Sequence, residues 1–171
     1  MAAPSVRLLF VCLGNICRSP TAESVMRTLV ERSELNGNIQ LESAGTGAWH
    51  VGSPPDRRAS QAAHARGVAL EGTARQVRPQ DFFDFDLLIA MDRENMRELR
   101  QLAPGEHERA KVRLLREFDP AVAAASTAGS GQQLDVPDPY YGAAGGFSEV
   151  FDLVQAACEG LLEQIHTGQV P

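Results

Sequence analysis

The chain has 171 residues, 43% of them hydrophobic, and 16 Lys plus Arg against 22 Asp plus Glu leave a formal net charge of -6 with an isoelectric point near 5.2. That length predicts a single domain over residues 1–171, with apolar content enough to bury a core, which excludes disorder as the main character of the chain. The acidic balance argues against nucleic acid or an anionic membrane as partner, while leaving room for a local cationic pocket that holds an anion.

In chain order, Arg7 opens the run Leu8-Leu9-Phe10-Val11-Cys12, which reads as a strand buried on both faces and is broken by Gly14 and Asn15. Ser19-Pro20 reads as an N-cap followed by Pro at the first helical position, and Ala22, Val25, Met26, Leu29 and Val30 then recur at helical spacing. Ile39 to Ala44 is a second predicted strand, Pro55 to Ala65 a helix, and Phe85 to Met91 a third strand. Asp92 caps a helix carrying Met96, Leu99 and Leu102 that stops at Pro104, and Lys111 to Leu115 is a short fourth strand. The biased segment Ala121 to Gln133 reads as a mobile surface loop, and a last helix carries Phe147, Val150, Phe151, Val154, Ala157, Cys158, Leu161 and Ile165 on one stripe.

Strands alternating with helices predict a parallel sheet covered on both faces, with ligands bound beyond the carboxyl ends of the strands. The longest apolar run, Leu8 to Leu13, is far below the roughly 20 residues of a membrane span, and no basic stretch with a long apolar region opens the chain. A cytoplasmic location is therefore expected, with three thiols to be judged on chemistry or packing rather than as disulfide staples.

The segment Cys12-Leu13-Gly14-Asn15-Ile16-Cys17-Arg18-Ser19 puts a thiol at the end of a strand and an Arg six residues later at the start of a helix. A loop of that length can curl so that successive backbone N–H groups point inward, and the helix N-terminus adds positive potential, making a cradle for a tetrahedral oxyanion. Gly14 is expected to supply the positive φ of the curl. The same field favours a thiolate at Cys12, a nucleophile suited to phosphorus. Arg18 offers a planar fork for two phosphate oxygens, and Ser19 can donate a hydrogen bond to the Cys12 sulfur as it leaves. A zinc reading of Cys12 and Cys17 fails because no second pair of Cys or His stands at ligand spacing, so neither a metal nor another cofactor is expected.

Downstream, Asp135-Val136-Pro137-Asp138-Pro139-Tyr140-Tyr141-Gly142 locks a carboxylate between two prolines, which stiffens the loop. Held over the cradle, Asp138 could protonate the leaving oxygen of an aryl phosphate and then take a proton from water.

With Val11 to Pro20, Ser43-Ala44-Gly45-Thr46 and Trp49, Pro55-Asp56-Arg57-Arg58, Ala74-Arg75-Gln76-Val77 and Asp138-Pro139-Tyr140-Tyr141, the chain resembles the low-molecular-weight protein tyrosine phosphatases over nearly its whole length. The resemblance implies a flavodoxin-like three-layer sandwich with a four-stranded parallel sheet. It also implies Cys12 as nucleophile, Arg18 as phosphate clamp, Asp138 as general acid and base, and Asn15 with Ser19 and Ser43 as a network holding the loop. Leu13 to Arg18 would bind the phosphate. Many relatives carry a supporting His just before Ala74-Arg75-Gln76, where this chain has Gly72 and Thr73. A redox pairing of Cys12 with Cys17 follows from the same resemblance.

Trp49, the only Trp, lies in a Gly-rich loop and with Tyr140 and Tyr141 is the candidate wall of a pocket deep enough to select phosphotyrosine proteins, with phosphate or vanadate as simple ligands. Arsenate reductases on this fold need a later pair of cysteines, and only Cys158 follows Cys17. Protein-arginine phosphatases carry Thr where this chain has Ile16. A catalytically silent phosphate-binding module is the reading from a different class. His50, His64, His107 and His166 are scattered and read as surface or structural residues.

Overall fold

The apolar run at the start of the chain forms strand β1 (Val6–Cys12), in which every residue but Arg7 is buried. A strand apolar on both faces has to be the middle of a covered sheet. A computed structural model describes residues 6–124, 134–140, 142 and 146–170. Strands β2 (Ile39–Gly45), β3 (Leu87–Ala90) and β4 (Val112–Leu114) complete one sheet in the order β2-β1-β3-β4. Every pair is parallel, in the registers Cys12 with Gly45, Val11 with Ala90, and Ala90 with Leu114. All four carboxyl ends therefore meet at one edge, with the end of β1 near the middle.

Two helices, α1 (Arg18–Glu31) and α2 (Arg57–His64), lie between the first two crossings, and the short α3 (Asp81–Asp84) precedes β3. Beyond β3 come α4 (Arg93–Leu102) and α5 (Glu106–Arg109), a 3₁₀ turn at Leu115–Phe118, α6 (Pro120–Ala124) and the long α7 (Gly146–His166). One face of the sheet packs Leu8, Phe10 and Ile89 against Met26 of α1 and Phe151 and Leu161 of α7. The other packs Leu9, Val11 and Leu88 against Phe82 of α3 and Leu99 of α4. These are the three layers that the strand and helix alternation predicts. The Asp92 cap of α4 is formed, its carboxylate accepting from Asn95 N–H at 2.7 Å, and Val150, Phe151, Val154, Ala157, Cys158, Leu161 and Ile165 form the buried stripe of α7.

Local differences have local causes. Helix α1 begins at Arg18, with Cys17 at its cap and no side-chain cap bond, so Ser19 is no N-cap; its buried hydroxyl is used in the loop instead. Helix α2 starts two residues after Pro55, because the Asp56 carboxylate caps it by accepting from the Arg58 and Ala59 N–H groups. Phe85 closes α3 and Leu115 opens the 3₁₀ turn, which shortens the third and fourth strands at those ends. Residues 121–124 are helical, contrary to the expected loop, while 125–133 lie outside the described residues.

Candidate active site

The chain leaves β1 at Cys12 and reaches α1 at Arg18 through a loop whose carbonyls are tied outward. Thr46 N–H donates to the Cys12 carbonyl at 2.9 Å, Gly47 N–H to that of Leu13 at 2.9 Å, and Asp56 N–H to that of Ile16 at 2.7 Å. A trans peptide sets the next N–H opposite each carbonyl, so the N–H groups of Leu13, Gly14 and Cys17 turn to the inner side of the loop. Asn15 N–H donates to Cys12 Sγ at 3.3 Å. Asn15, not Gly14, takes the positive φ (56°), and it is the only non-glycine to do so among the described residues. At Gly14 a Cβ would sit 2.9 Å from His50 Cδ2, so a side chain there would require the His50 ring to shift.

An amide in the left-handed region needs holding, and the Asn15 side chain is held at both ends. Its Nδ2 donates to Ser19 Oγ at 2.8 Å and to Ser43 Oγ at 3.0 Å, and its Oδ1 accepts from Arg75 N–H at 3.0 Å. Ser43 in turn donates to Glu23 at 2.7 Å, and Ser19 Oγ is 3.0 Å from Cys12 Sγ. Gly72 and Thr73 line a cleft of about 190 Å³ beside Asn15. Glu23 joins this network from α1 without any sequence motif to announce it, whereas Arg75 stands in the Ala74-Arg75-Gln76-Val77 segment, which does not reveal that its peptide N–H meets Asn15.

Arg18 is buried although charged, and its side chain is only 3% exposed. Its Nη1 donates to Asp92 Oδ2 at 2.5 Å and to the Val136 carbonyl at 2.9 Å, and its Nη2 donates to Asp138 Oδ2 at 3.3 Å. Despite the opposing cost of burial, the neighbouring Cys12, Asp92 and Asp138 raise its pKa and keep it charged. The Asp138 loop is anchored beside it: Val136 N–H donates to Met91 O at 2.8 Å, and Asp135 accepts from the backbone and side chain of Arg93. At the far end Arg58 donates to the Tyr140 carbonyl at 3.3 Å and stacks on the rings of Tyr140 and Phe147.

Cys12, Leu13, Gly14, Ile16, Cys17, Arg18, Trp49, His50, Asp138 and Tyr140 line one pocket of about 360 Å³. Trp49 is 75% exposed and lies over Gly47, where a Cβ would fall 1.9 Å from its ring. His50 belongs to the wall, 5.9 Å from the Tyr140 ring, which corrects its reading as a mere surface or structural residue. Asp92 carries two tasks that the sequence shows as one, capping α4 and holding Arg18. Tyr141 lies outside the described residues. Burial, helped by Asp56, pushes the Cys17 thiol up to about 12, and burial also raises Cys158 in the core. Among the described residues no three His, Cys, Asp or Glu come together as metal ligands, and no helix is long and apolar enough to cross a membrane.

The model of the low molecular weight phosphotyrosine protein phosphatase family matches residues 7–170. A low molecular weight protein-tyrosine-phosphatase of Streptomyces coelicolor is 48% identical over 159 residues, covering 93% of this chain and 93% of that protein. The solved structure of a protein tyrosine phosphatase from Entamoeba histolytica, with Hepes in its active site, aligns with a TM-score of 0.86 at 37% identity over 97% of this chain and 100% of that one. A Drosophila arginine phosphatase aligns with a TM-score of 0.81 at 32% identity, covering 92% and 96%. A cysteine loop at the end of a central parallel strand, an arginine at the following helix and a family match along nearly the entire sequence lead to one conclusion: the chain belongs to the low molecular weight phosphotyrosine protein phosphatase family.

Proposed function

We propose that this phosphatase hydrolyses protein phosphotyrosine through a cysteinyl-phosphate intermediate, with Cys12 as nucleophile, Arg18 as phosphate clamp and Asp138 as general acid and then general base. The observation that carries the reading is that these three residues line one pocket together with Leu13, Gly14, Ile16 and Cys17 of the loop between Cys12 and Arg18. In the first step the Cys12 sulfur attacks phosphorus while the phenolic oxygen leaves with a proton from Asp138. In the second, Asp138 takes a proton from water, the resulting oxygen attacks phosphorus, and the Cys12 thiolate leaves toward the Ser19 hydroxyl. Arg18 and the loop N–H groups hold the non-bridging oxygens throughout, where charge accumulates in both transition states.

Asn15, Ser19 and Ser43 support the loop in this reading, and Trp49 and Tyr140 form walls that admit a phenyl ring and favour phosphotyrosine over the shorter phosphoserine. Inorganic phosphate and vanadate fit the same cradle. The chemistry assigned here calls on no metal or other cofactor. Three free thiols, one of them reactive, suit the reducing cytoplasm.

Turnover of phosphotyrosine, phosphoserine and phosphoarginine peptides by the purified protein tests the assignment, with phosphotyrosine expected to be the best substrate. Faster release from phosphoarginine would move the enzyme to the arginine phosphatases, and vanadate binding without turnover of any peptide would make it a silent phosphate binder.

A further inference from the structure

Asp81 is a fully buried carboxylate on α3, and no step of the chemistry above uses it. Arg75 grips it with both ends of its guanidinium, Nη1 at 3.0 Å and Nη2 at 3.1 Å, and Arg78 N–H adds a bond of 2.7 Å. The Arg78 guanidinium stands 3.6 Å off, and Arg75 Nη2 also reaches Glu42 at 3.1 Å. A forked pair of this kind fixes orientation as well as charge.

What Arg75 does with its own peptide gives the ion pair its consequence. Its N–H is the one donor to Asn15 Oδ1 among the described residues, and its carbonyl accepts from Gly45 N–H at 2.8 Å. Asn15 then passes that orientation on, through Nδ2 to the Ser19 hydroxyl beside the Cys12 sulfur and through its N–H to the sulfur itself. A buried carboxylate on one side of the sheet is thereby joined to the nucleophile by an unbroken series of bonds.

We propose that Asp81 is a positioning residue for the phosphatase reaction: through its forked pair with Arg75 it holds the peptide N–H that fixes the Asn15 amide, and with it the geometry of the loop around Cys12. The proposal rests on the reading of Cys12 as nucleophile. A role confined to folding would lower stability without a specific effect on turnover. A positioning role requires Asn15, because the effect passes through its amide.

The test is a double-mutant cycle on kcat for an aryl phosphate, using Asp81→Asn, Asn15→Gly and the double variant, measured where circular dichroism shows each protein folded. Asn15→Gly keeps the positive φ and removes only the amide. Asp81→Asn is expected to lower kcat on the order of tenfold in the native background, through loss of loop geometry. In the Asn15→Gly background the same change should alter kcat by less than about twofold, since coupled sites are non-additive. Arg75→Lys, which keeps a charge for Asp81 but loses the fork, should reproduce the cycle and replaces Asp81→Asn if that protein does not fold. Equal loss in both backgrounds, or native kcat in folded Asp81→Asn or Arg75→Lys, overturns the proposal. Undiminished turnover by Cys12→Ser would instead overturn the reading on which it stands.

Discussion

Ser19 Oγ lies 3.0 Å from Cys12 Sγ while accepting a hydrogen bond from Asn15 Nδ2, with the Ala44 carbonyl at 3.4 Å as a second acceptor for its hydrogen; against a thiolate, only the hydroxyl has a hydrogen to give to the sulfur contact. A hydroxyl so placed favours the thiolate, most of all when that thiolate must leave phosphorus. Ser19→Ala is expected to slow breakdown of the cysteinyl phosphate. Loss of one hydrogen bond to a charged group, about 1.5–3 kcal/mol, corresponds to roughly a ten- to hundredfold fall in kcat. Stopped-flow measurement should then show a burst of aryl alcohol equal to the enzyme concentration, and a linear onset would remove Ser19 from the second step.

Arg18 reaches Asp92 and the Val136 carbonyl with one nitrogen and Asp138 with the other, a division that a single ammonium cannot reproduce. Arg18→Lys should therefore lose nearly as much turnover as Cys12→Ser, but the two should part on vanadate. Cys12→Ser keeps the N–H groups and the guanidinium and should still bind it; Arg18→Lys should bind it much more weakly. Calorimetric titration with vanadate gives the comparison, and near-native turnover by Arg18→Lys would free it from the clamp role.

Asp138 stands at the pocket beside the Arg18 guanidinium, in a loop gripped at both ends by Arg93 and Arg58. Asp138→Asn should slow hydrolysis most for phosphate esters of weakly acidic alcohols and least for activated aryl phosphates, which need little protonation. The slope of log kcat against leaving-group pKa should steepen. A parallel drop for all esters would leave Asp138 as a loop-positioning residue only.

The strand, turn and helix around Cys12, the Arg at the helix start and the Pro-flanked carboxylate were readable because each is local: residue type and spacing over eight residues carry them. The layers followed from periodicity in the same way, as the α7 stripe and the Asp92 cap illustrate. What could not be read depends on contacts between distant segments. Gly14 is the expected site of the positive φ because it lacks a side chain, yet Asn15 takes it, its amide held by Ser19, Ser43 and Arg75 from distant segments. Ser19 looked like a cap because Ser before Pro usually is one; a hydroxyl already used by sulfur and by Asn15 cannot also cap. Asp81 and Glu23 carry no local signal at all, and Arg75, although it stands in the Ala74-Arg75-Gln76-Val77 segment, gives no sign there of its contact with Asn15.

Cys17 is buried in the loop, and its thiol is held at about 12, first by burial and then by Asp56, Cys12 and Asp138. Its thiolate fraction therefore rises about tenfold for each pH unit anywhere below that value. Oxidation of Cys12 to a sulfenic acid by peroxide, followed by attack of the Cys17 thiolate on that sulfur, is the expected route to a disulfide, with hydroxide as the leaving group. Activity recoverable by a thiol reductant should increase as the peroxide step is moved from mildly acidic to mildly alkaline pH. Cys17→Ser should lose that recoverable fraction, and equal recovery in both proteins would show that Cys17 does not protect the nucleophile.

Gly45 ends β2 opposite Cys12, and a Cβ at that position would lie 2.7 Å from the Leu13 carbonyl and 3.2 Å from the Gly14 carbonyl carbon. The width of the anion cradle is thus set from outside the cradle, by a side chain that is only a hydrogen atom. Adding one methyl group would press on the backbone of the loop, and the nearest atoms are peptide atoms that cannot swing aside as a long side chain can. Space for the loop thus depends on a residue outside it, and the second strand serves the first as a backstop as well as a partner in the sheet.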